Sequence, residues 1–217
     1  MIRTLGLLLL LSISVFAKPT VTVSIPPQKY IVEQISGDTL NVLYMVEPTA
    51  NHETYEPKPA QMVALAKSDI YFTIGLPFEE SWLTRFKNAA PNIKFVDTGV
   101  GINKLEMGEH HHGEEDTHEA EHDHDKNHNH QATHDNHDHN HSDHDHHDHD
   151  HKGDDPHIWL DPILLKTQAK NIADALSDTY PQNRDLYAKN LEVFNKKMDE
   201  LNKNIEMKLK NLTSRSF

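Results

Sequence analysis

Asp155-Pro156-His157-Ile158-Trp159-Leu160-Asp161-Pro162 is the stretch whose reading decides the fold. Asp161 followed by Pro162 marks a helix start. An aspartate side chain accepts the unpaired N–H groups of a first turn, and proline suits the first helical position, where no N–H is needed. The apolar spacing beyond it predicts a helix ending near Tyr180. His157 therefore lies in a loop directly ahead of a helix.

The chain before this stretch alternates two periodicities. Val21, Val23 and Ile25 step by two, as in a half-buried strand, and stop at Pro26-Pro27, which opens a helix reaching about Ser36. Gly37-Asp38 then turns the chain. Residues 40–46 read as a second strand, 59–67 as a short helix, 70–74 as a third strand closed by Gly75, 79–89 as a helix and 93–96 as a fourth strand. Strands alternating with helices predict a parallel α/β lobe. Phe78, Trp82 and Phe86, at four-residue steps, read as the buried face of a helix.

Beyond Pro181, Leu186, Leu191, Phe194, Met198, Leu201, Ile205, Met207 and Leu209 recur mostly at three- and four-residue steps. A single helix over 182–212 would be on the order of 45 Å long at the α-helical rise. That is more than the lobe requires, and it reads as a strut leading towards a second lobe that the sequence stops short of. The expected fold is α/β: a single parallel-sheet lobe with flanking helices, a disordered His-rich insert and a long C-terminal strut helix, with the second α/β lobe missing. The corresponding division is residues 1–17 as signal peptide, 18–107 and 156–180 as the two parts of the lobe, 108–155 as a metal-binding loop, and 181–217 as the linking helix and truncated start of the second lobe.

Composition narrows the classes of function. Residues 1–17 have a short basic start, an apolar run and Ala17 before Lys18, which is the pattern of an export signal cleaved near Ala17. The run is too short to span a bilayer, which takes about 20 apolar residues. The mature chain is expected to be periplasmic and not membrane-spanning. Cysteine is absent, which excludes disulfides, thiolate metal sites and a lipid-modified cysteine. The formal charge is -13, and residues 109–155 alone carry sixteen Asp/Glu against two Lys. The remainder is close to neutral, so no nucleic-acid-binding patch is implied.

The acidic segment holds 17 of the 19 histidines and almost no apolar side chain. It cannot offset the entropy of ordering and reads as a mobile loop. Pairs such as His122 and His124, His137 and His139, and His144 and His146 place imidazoles two residues apart, where a flexible backbone can wrap several around one ion. Such sites are weak and exchangeable. A solvated acidic tail with no metal role is the plain alternative. His118-Glu119-Ala120-Glu121-His122 fits the metalloprotease pattern, but that chemistry needs a docked helix and no apolar stripe is present to dock one. In a tract this rich in His and Glu the match is expected by chance. No phosphate-binding glycine loop, nucleophile elbow or cysteine nucleophile occurs, and no enzymatic activity is expected.

Outside the tract stand His52 and His157. Both fall in loops between secondary elements, where open α/β sheets place ligand residues. Neutral imidazole is the commonest protein ligand for zinc, and two nitrogens from distant loops can fix two corners of a tetrahedron. Taken singly, each is more often a surface or turn residue. Their surroundings add weight. His52-Glu53-Thr54-Tyr55-Glu56-Pro57-Lys58-Pro59, the stretch around His157 and the His-rich insert between them closely resemble the zinc-binding, ZnuA-like members of the metal-receptor family serving ABC importers.

The resemblance, over residues 20–217, implies two α/β lobes joined by one long rigid helix, with zinc held in the cleft by histidines of both lobes. It implies His52 and His157 as the first-lobe ligands and a membrane permease as partner. It also implies high-affinity zinc uptake: capture outside the cytoplasmic membrane and delivery to that permease. In some relatives an acidic residue precedes the first histidine; here Asn51 does, so no carboxylate ligand is expected there. The family's third histidine and a further carboxylate belong to the second lobe. Glu56 and Asp161 read as a loop brace and a helix cap, and Trp159 and Leu160 as anchors of the loop that presents His157. Imidazole ligands favour zinc, copper and nickel over manganese. The rival reading is a zinc, nickel or copper buffer or chaperone working through the His-rich loop alone; a surface adhesin has no independent support.

Overall fold

In the computed structural model, residues 17–106 and 154–212 are described. The expected export signal up to residue 16, the histidines expected to form weak sites, His122, His124, His137, His139, His144 and His146, and the last five residues lie outside them. The chain divides into two units, one of Met1–Lys104 with Asp155–Phe217 and one of Leu105–Asp154. In the second, Glu106 and Asp154 pair in an isolated antiparallel bridge.

The first unit contains a four-stranded, fully parallel sheet: β1 (Thr20–Val23), β2 (Asn41–Tyr44), β3 (Ile70–Thr73) and β4 (Lys94–Asp97), in the order β2-β1-β3-β4. The helices are α1 (Pro26–Ser36), α2 (Pro59–Leu65), α3 (Pro77–Ala89), α4 (Pro162–Thr179) and α5 (Arg184–Leu209). Proline stands at the start of α1, α2, α3 and α4; the starts at Pro26, Pro59 and Pro162 are those read from the sequence, whereas α3 begins at Pro77, two residues ahead of the expected 79. The second strand is shorter than the predicted 40–46. Met45 and Val46 still donate to the Val23 and Ser24 carbonyls, both at 2.8 Å, while the chain turns towards the loop that carries His52.

Side-chain alternation sorts the two cores. On one face Val21, Val23, Ile70 and Phe72 meet Ile31, Ile35, Ile172, Leu176, Tyr187, Phe194 and Met198 from α1, α4 and α5. On the other, Tyr71 joins Leu65, Phe78, Phe86 and Ile158. Phe78 and Phe86 are buried as expected, with Trp82 half-buried beside them. In α5 the buried residues Tyr187, Phe194 and Met198 all lie in its first fifteen positions. Leu201, Ile205, Met207 and Leu209, further along, are exposed. A 3-10 turn at Pro181–Asn183 precedes α5 and shortens the predicted single helix at its start.

Sheet order fixes where a ligand can sit. The helix after β1 packs with α4 and α5 on one face, whereas α2 and α3 cover the other. Strand succession reverses between β1 and β3, and in open α/β sheets the carboxyl ends at such a switch point form the ligand crevice.

Candidate metal centre

His52 stands on the loop leaving β2. Glu47 and Lys58 pair at 2.8 Å across that loop. Gln61, in α2, does the bracing: its side-chain carbonyl accepts from the Lys58 N–H at 2.8 Å and the Tyr55 hydroxyl at 2.9 Å, and its amide donates to the Met45 carbonyl. Glu56, read from sequence as the brace, is exposed. The brace must reach three backbone or side-chain groups at once, and the residue doing so is one turn into the next helix. Asn51 accepts the Glu53 N–H at 2.8 Å through Oδ1, so its place before His52 serves a turn.

His157 stands on the other loop. Asp155 Oδ1 accepts the His157 backbone N–H at 2.9 Å and lies 2.6 Å from its Nδ1. These hydrogen bonds, the backbone one first, hold the Asp155 carboxyl below its usual range. A 3-10 turn, Ile158–Leu160, follows. Ile158 is the buried anchor, its carbonyl accepting from Gln168 Nε2 at 3.1 Å. Leu160 does not anchor: it is 72% exposed, because the three side chains of a 3-10 turn point in three different directions and Ile158 takes the inward one. Asp161 caps α4 as expected, accepting from the Ile163 and Leu164 N–H groups at 2.6 and 3.3 Å.

The two loops bring the histidines together. The rings of His52 and His157 lie with centroids 5.3 Å apart, edge to face. Trp159 touches both, 5.7 Å from the His52 ring and 4.9 Å from that of His157. A cleft of about 250 Å³ opens beside His52, lined by Ile25, Pro26, Val46, Glu47 and Trp159 among others. His52 Nε2 is buried and has no hydrogen-bond partner among the described residues. Leaving such an atom unpaired costs about 1–3 kcal/mol, which a metal ion at that nitrogen would remove.

The spacing suits one ion. With zinc–nitrogen bonds of about 2.0–2.1 Å and a tetrahedral angle, two ligating imidazoles have centroids roughly 5 Å apart. Among the described residues no cluster of three or more His, Cys, Asp or Glu is assembled. Two nitrogens so spaced would occupy two corners of such a tetrahedron. Asp155 and the double contact of Trp159 escaped the sequence reading. The Asp-x-His spacing around Pro156 is a signal that could have raised the first.

The family model for the periplasmic zinc-uptake complex component A, ZnuA, matches residues 21–217. A crystal structure of a zinc-bound ZnuA deletion mutant superposes with a TM-score of 0.71 at 34% identity, covering 93% of this chain and 62% of that one. A Chlamydia muridarum protein named as a candidate metal-binding protein is 28% identical over 166 residues, 76% of this chain and 45% of the relative. The manganese-binding lipoprotein MntA of Halalkalibacterium halodurans is 29% identical over 79 residues, 36% of this chain and 26% of the relative. The chain thus spans about half the length of the chlamydial relative. No helix among the described residues is long and apolar enough to cross a membrane.

Proposed function

Since this chain belongs to the ZnuA family of periplasmic zinc-uptake components, we propose that it captures zinc outside the cytoplasmic membrane and delivers it to the permease of an ATP-driven importer. The reading is of a carrier that performs no bond chemistry on its cargo. His52 and His157 are the proposed ligands. The observation that carries this is the pairing of two rings, 105 positions apart in sequence, at a centroid distance of 5.3 Å, with a buried and unpartnered Nε2 on one of them. Zinc rather than manganese follows from the donor set, because imidazole is a borderline-soft ligand and manganese prefers oxygen. In the same reading the His-rich segment between the two loops gathers zinc weakly.

The test is zinc titration against a competing chelator for the full chain, the His52→Ala/His157→Ala double variant, and a chain lacking residues 108–153. One tight site that survives removal of the insert and disappears in the double variant is the expected result. Weak sites alone, all lost with the insert, would replace the receptor by a metal buffer working through that segment.

A further inference from the structure

The two proposed ligands are not held alike. The His52 Nε2 has no partner among the described residues, whereas His157 is clamped twice by one oxygen of Asp155, through its backbone N–H at 2.9 Å and its Nδ1 at 2.6 Å. An ionised carboxylate has no proton to give, so the short contact requires the hydrogen to be on Nδ1. In the neutral ring that leaves the Nε2 lone pair free. A histidine ring in water prefers the opposite tautomer, with hydrogen on Nε2, which would block that nitrogen as a ligand.

Asp155 is itself placed to do this. Its side chain is partly exposed at 40%, and it directly precedes Pro156, whose restriction on the preceding residue keeps Asp155 out of the helical region. Ile158, the next residue after His157, is buried and its carbonyl accepts from Gln168 Nε2 at 3.1 Å, which anchors the turn on which His157 stands. The geometry points to Asp155 as a positioning residue that sets the His157 tautomer and ring direction so that Nε2 is presented to the metal before the metal arrives. The inference rests on the proposed role of His157 as a ligand and adds to it why that ring needs no rearrangement on binding. Such carboxylate–histidine–metal arrangements raise ligand basicity and fix orientation.

The experiment has two parts, both on the full chain. Long-range proton–nitrogen NMR of the metal-free protein at a pH near 8, above the unperturbed histidine value of about 6.5, reads the tautomer of each ring; the His157 signals are assigned by their loss in His157→Gln. The expected result is hydrogen on Nδ1 in the wild type and a shift towards Nε2–H in Asp155→Ala. Zinc affinity at the tight site, measured against a chelator strong enough to silence the insert, should fall about 10–100-fold in Asp155→Ala and less in Asp155→Asn, whose amide oxygen preserves the turn. Circular dichroism identifies a variant that has not folded, and Asp155→Asn decides if the alanine variant is lost. Hydrogen on Nε2 in the wild type overturns the inference, as does a drop smaller than about threefold, set against the cited range, in the folded variants. If His52→Ala and His157→Ala also leave tight binding intact, the ligand assignment itself has failed; if they abolish it while the Asp155 variants do not, only the positioning role has.

Discussion

Ser24 Oγ lies 2.7 Å from the Tyr71 hydroxyl, joining the end of β1 to β3 inside the core at the switch point of the sheet. Ser24 also donates to the Glu79 carboxylate, which accepts the N–H groups of Ile74, Gly75 and Leu76 at 2.6–3.2 Å. Gly75 has φ +84°, a conformation glycine adopts without strain, so this turn is held from both backbone and side chain. Replacing Glu79 with Ala strips three N–H groups, those of Ile74 and Leu76 buried, of their acceptor. Chemical denaturation should show a loss of roughly 3 kcal/mol, more than an exposed glutamate would give. A variant as stable as the wild type would show the network to be dispensable.

The same carboxyl gives a pH dependence with a definite sign. Burial, outweighing the hydrogen bonds from Ser24 and the backbone, raises the Glu79 pKa above 4.5. The folded state therefore holds the proton more tightly than the unfolded chain does. Its contribution is full below 4.5 and is lost as pH rises through the folded value. The stability difference between the wild type and Glu79→Gln, taken from urea midpoints, should shrink as pH rises above 4.5, because the glutamine cannot titrate. Comparing variants cancels the histidines, which titrate in both. A difference that grows with pH would reverse the sign and show hydrogen bonding to outweigh burial.

Helix starts were the most legible feature of the sequence because proline and aspartate act locally. Pro26, Pro59, Pro77 and Pro162 open four helices where their chemistry requires it, and Asp161 caps the last. Pro77 opens α3 two residues ahead of the predicted start at 79, because Glu79 reaches back to the Leu76 N–H as part of the buried network instead of beginning the helix. The meeting of His52 and His157 rested on resemblance, since nothing local to either residue says where the other loop goes. Gln61 and Asp155 were hidden for a related reason. Each acts through contacts to backbone groups or ring nitrogens whose direction depends on the final turn of a loop. Leu160 was misread because apolarity predicts burial only when the backbone points a side chain inward, and the 3-10 turn gives that place to Ile158.

Asp161→Ala tests the cap that ends the His157 loop. Two N–H groups of α4 lose their acceptor. The cost expected from cap substitutions is about 1 kcal/mol. Because α4 packs on α1 and α5, the helix itself should persist, and circular dichroism should show little loss of helical signal. Tight zinc binding should weaken modestly through a looser loop. An unchanged urea midpoint would mean that water replaces the cap without cost.

Trp159 offers an optical readout of the proposed site. Its ring contacts both histidines, whereas the second tryptophan, Trp82, stacks on Phe86 at 6.1 Å and carries Arg85 over its face at 4.6 Å. Zinc added to the metal-free chain should change the emission of Trp159 and leave that of Trp82 unaltered. Trp159→Phe should therefore abolish the zinc-induced change while Trp82→Phe retains it. A response that persists in Trp159→Phe would place the bound ion elsewhere.

Competition between metals tests the donor set. The manganese-binding relative shares only part of its length with this chain, so its metal does not transfer. What transfers is the chemistry of the side chains present. His52 and His157 offer two imidazole nitrogens, and Glu47, the carboxylate lining the same cleft, is engaged by Lys58 at 2.8 Å. An oxygen-preferring ion thus gains little here, while affinity for nitrogen donors rises steeply from manganese to zinc. Equimolar zinc should displace manganese from the tight site, followed by loss of the manganese paramagnetic signal of the bound ion. The selectivity should narrow in His52→Asp, which replaces one imidazole by a carboxylate. If manganese instead holds the site against zinc, an oxygen-rich shell is formed there and the two-imidazole reading of the cleft is wrong.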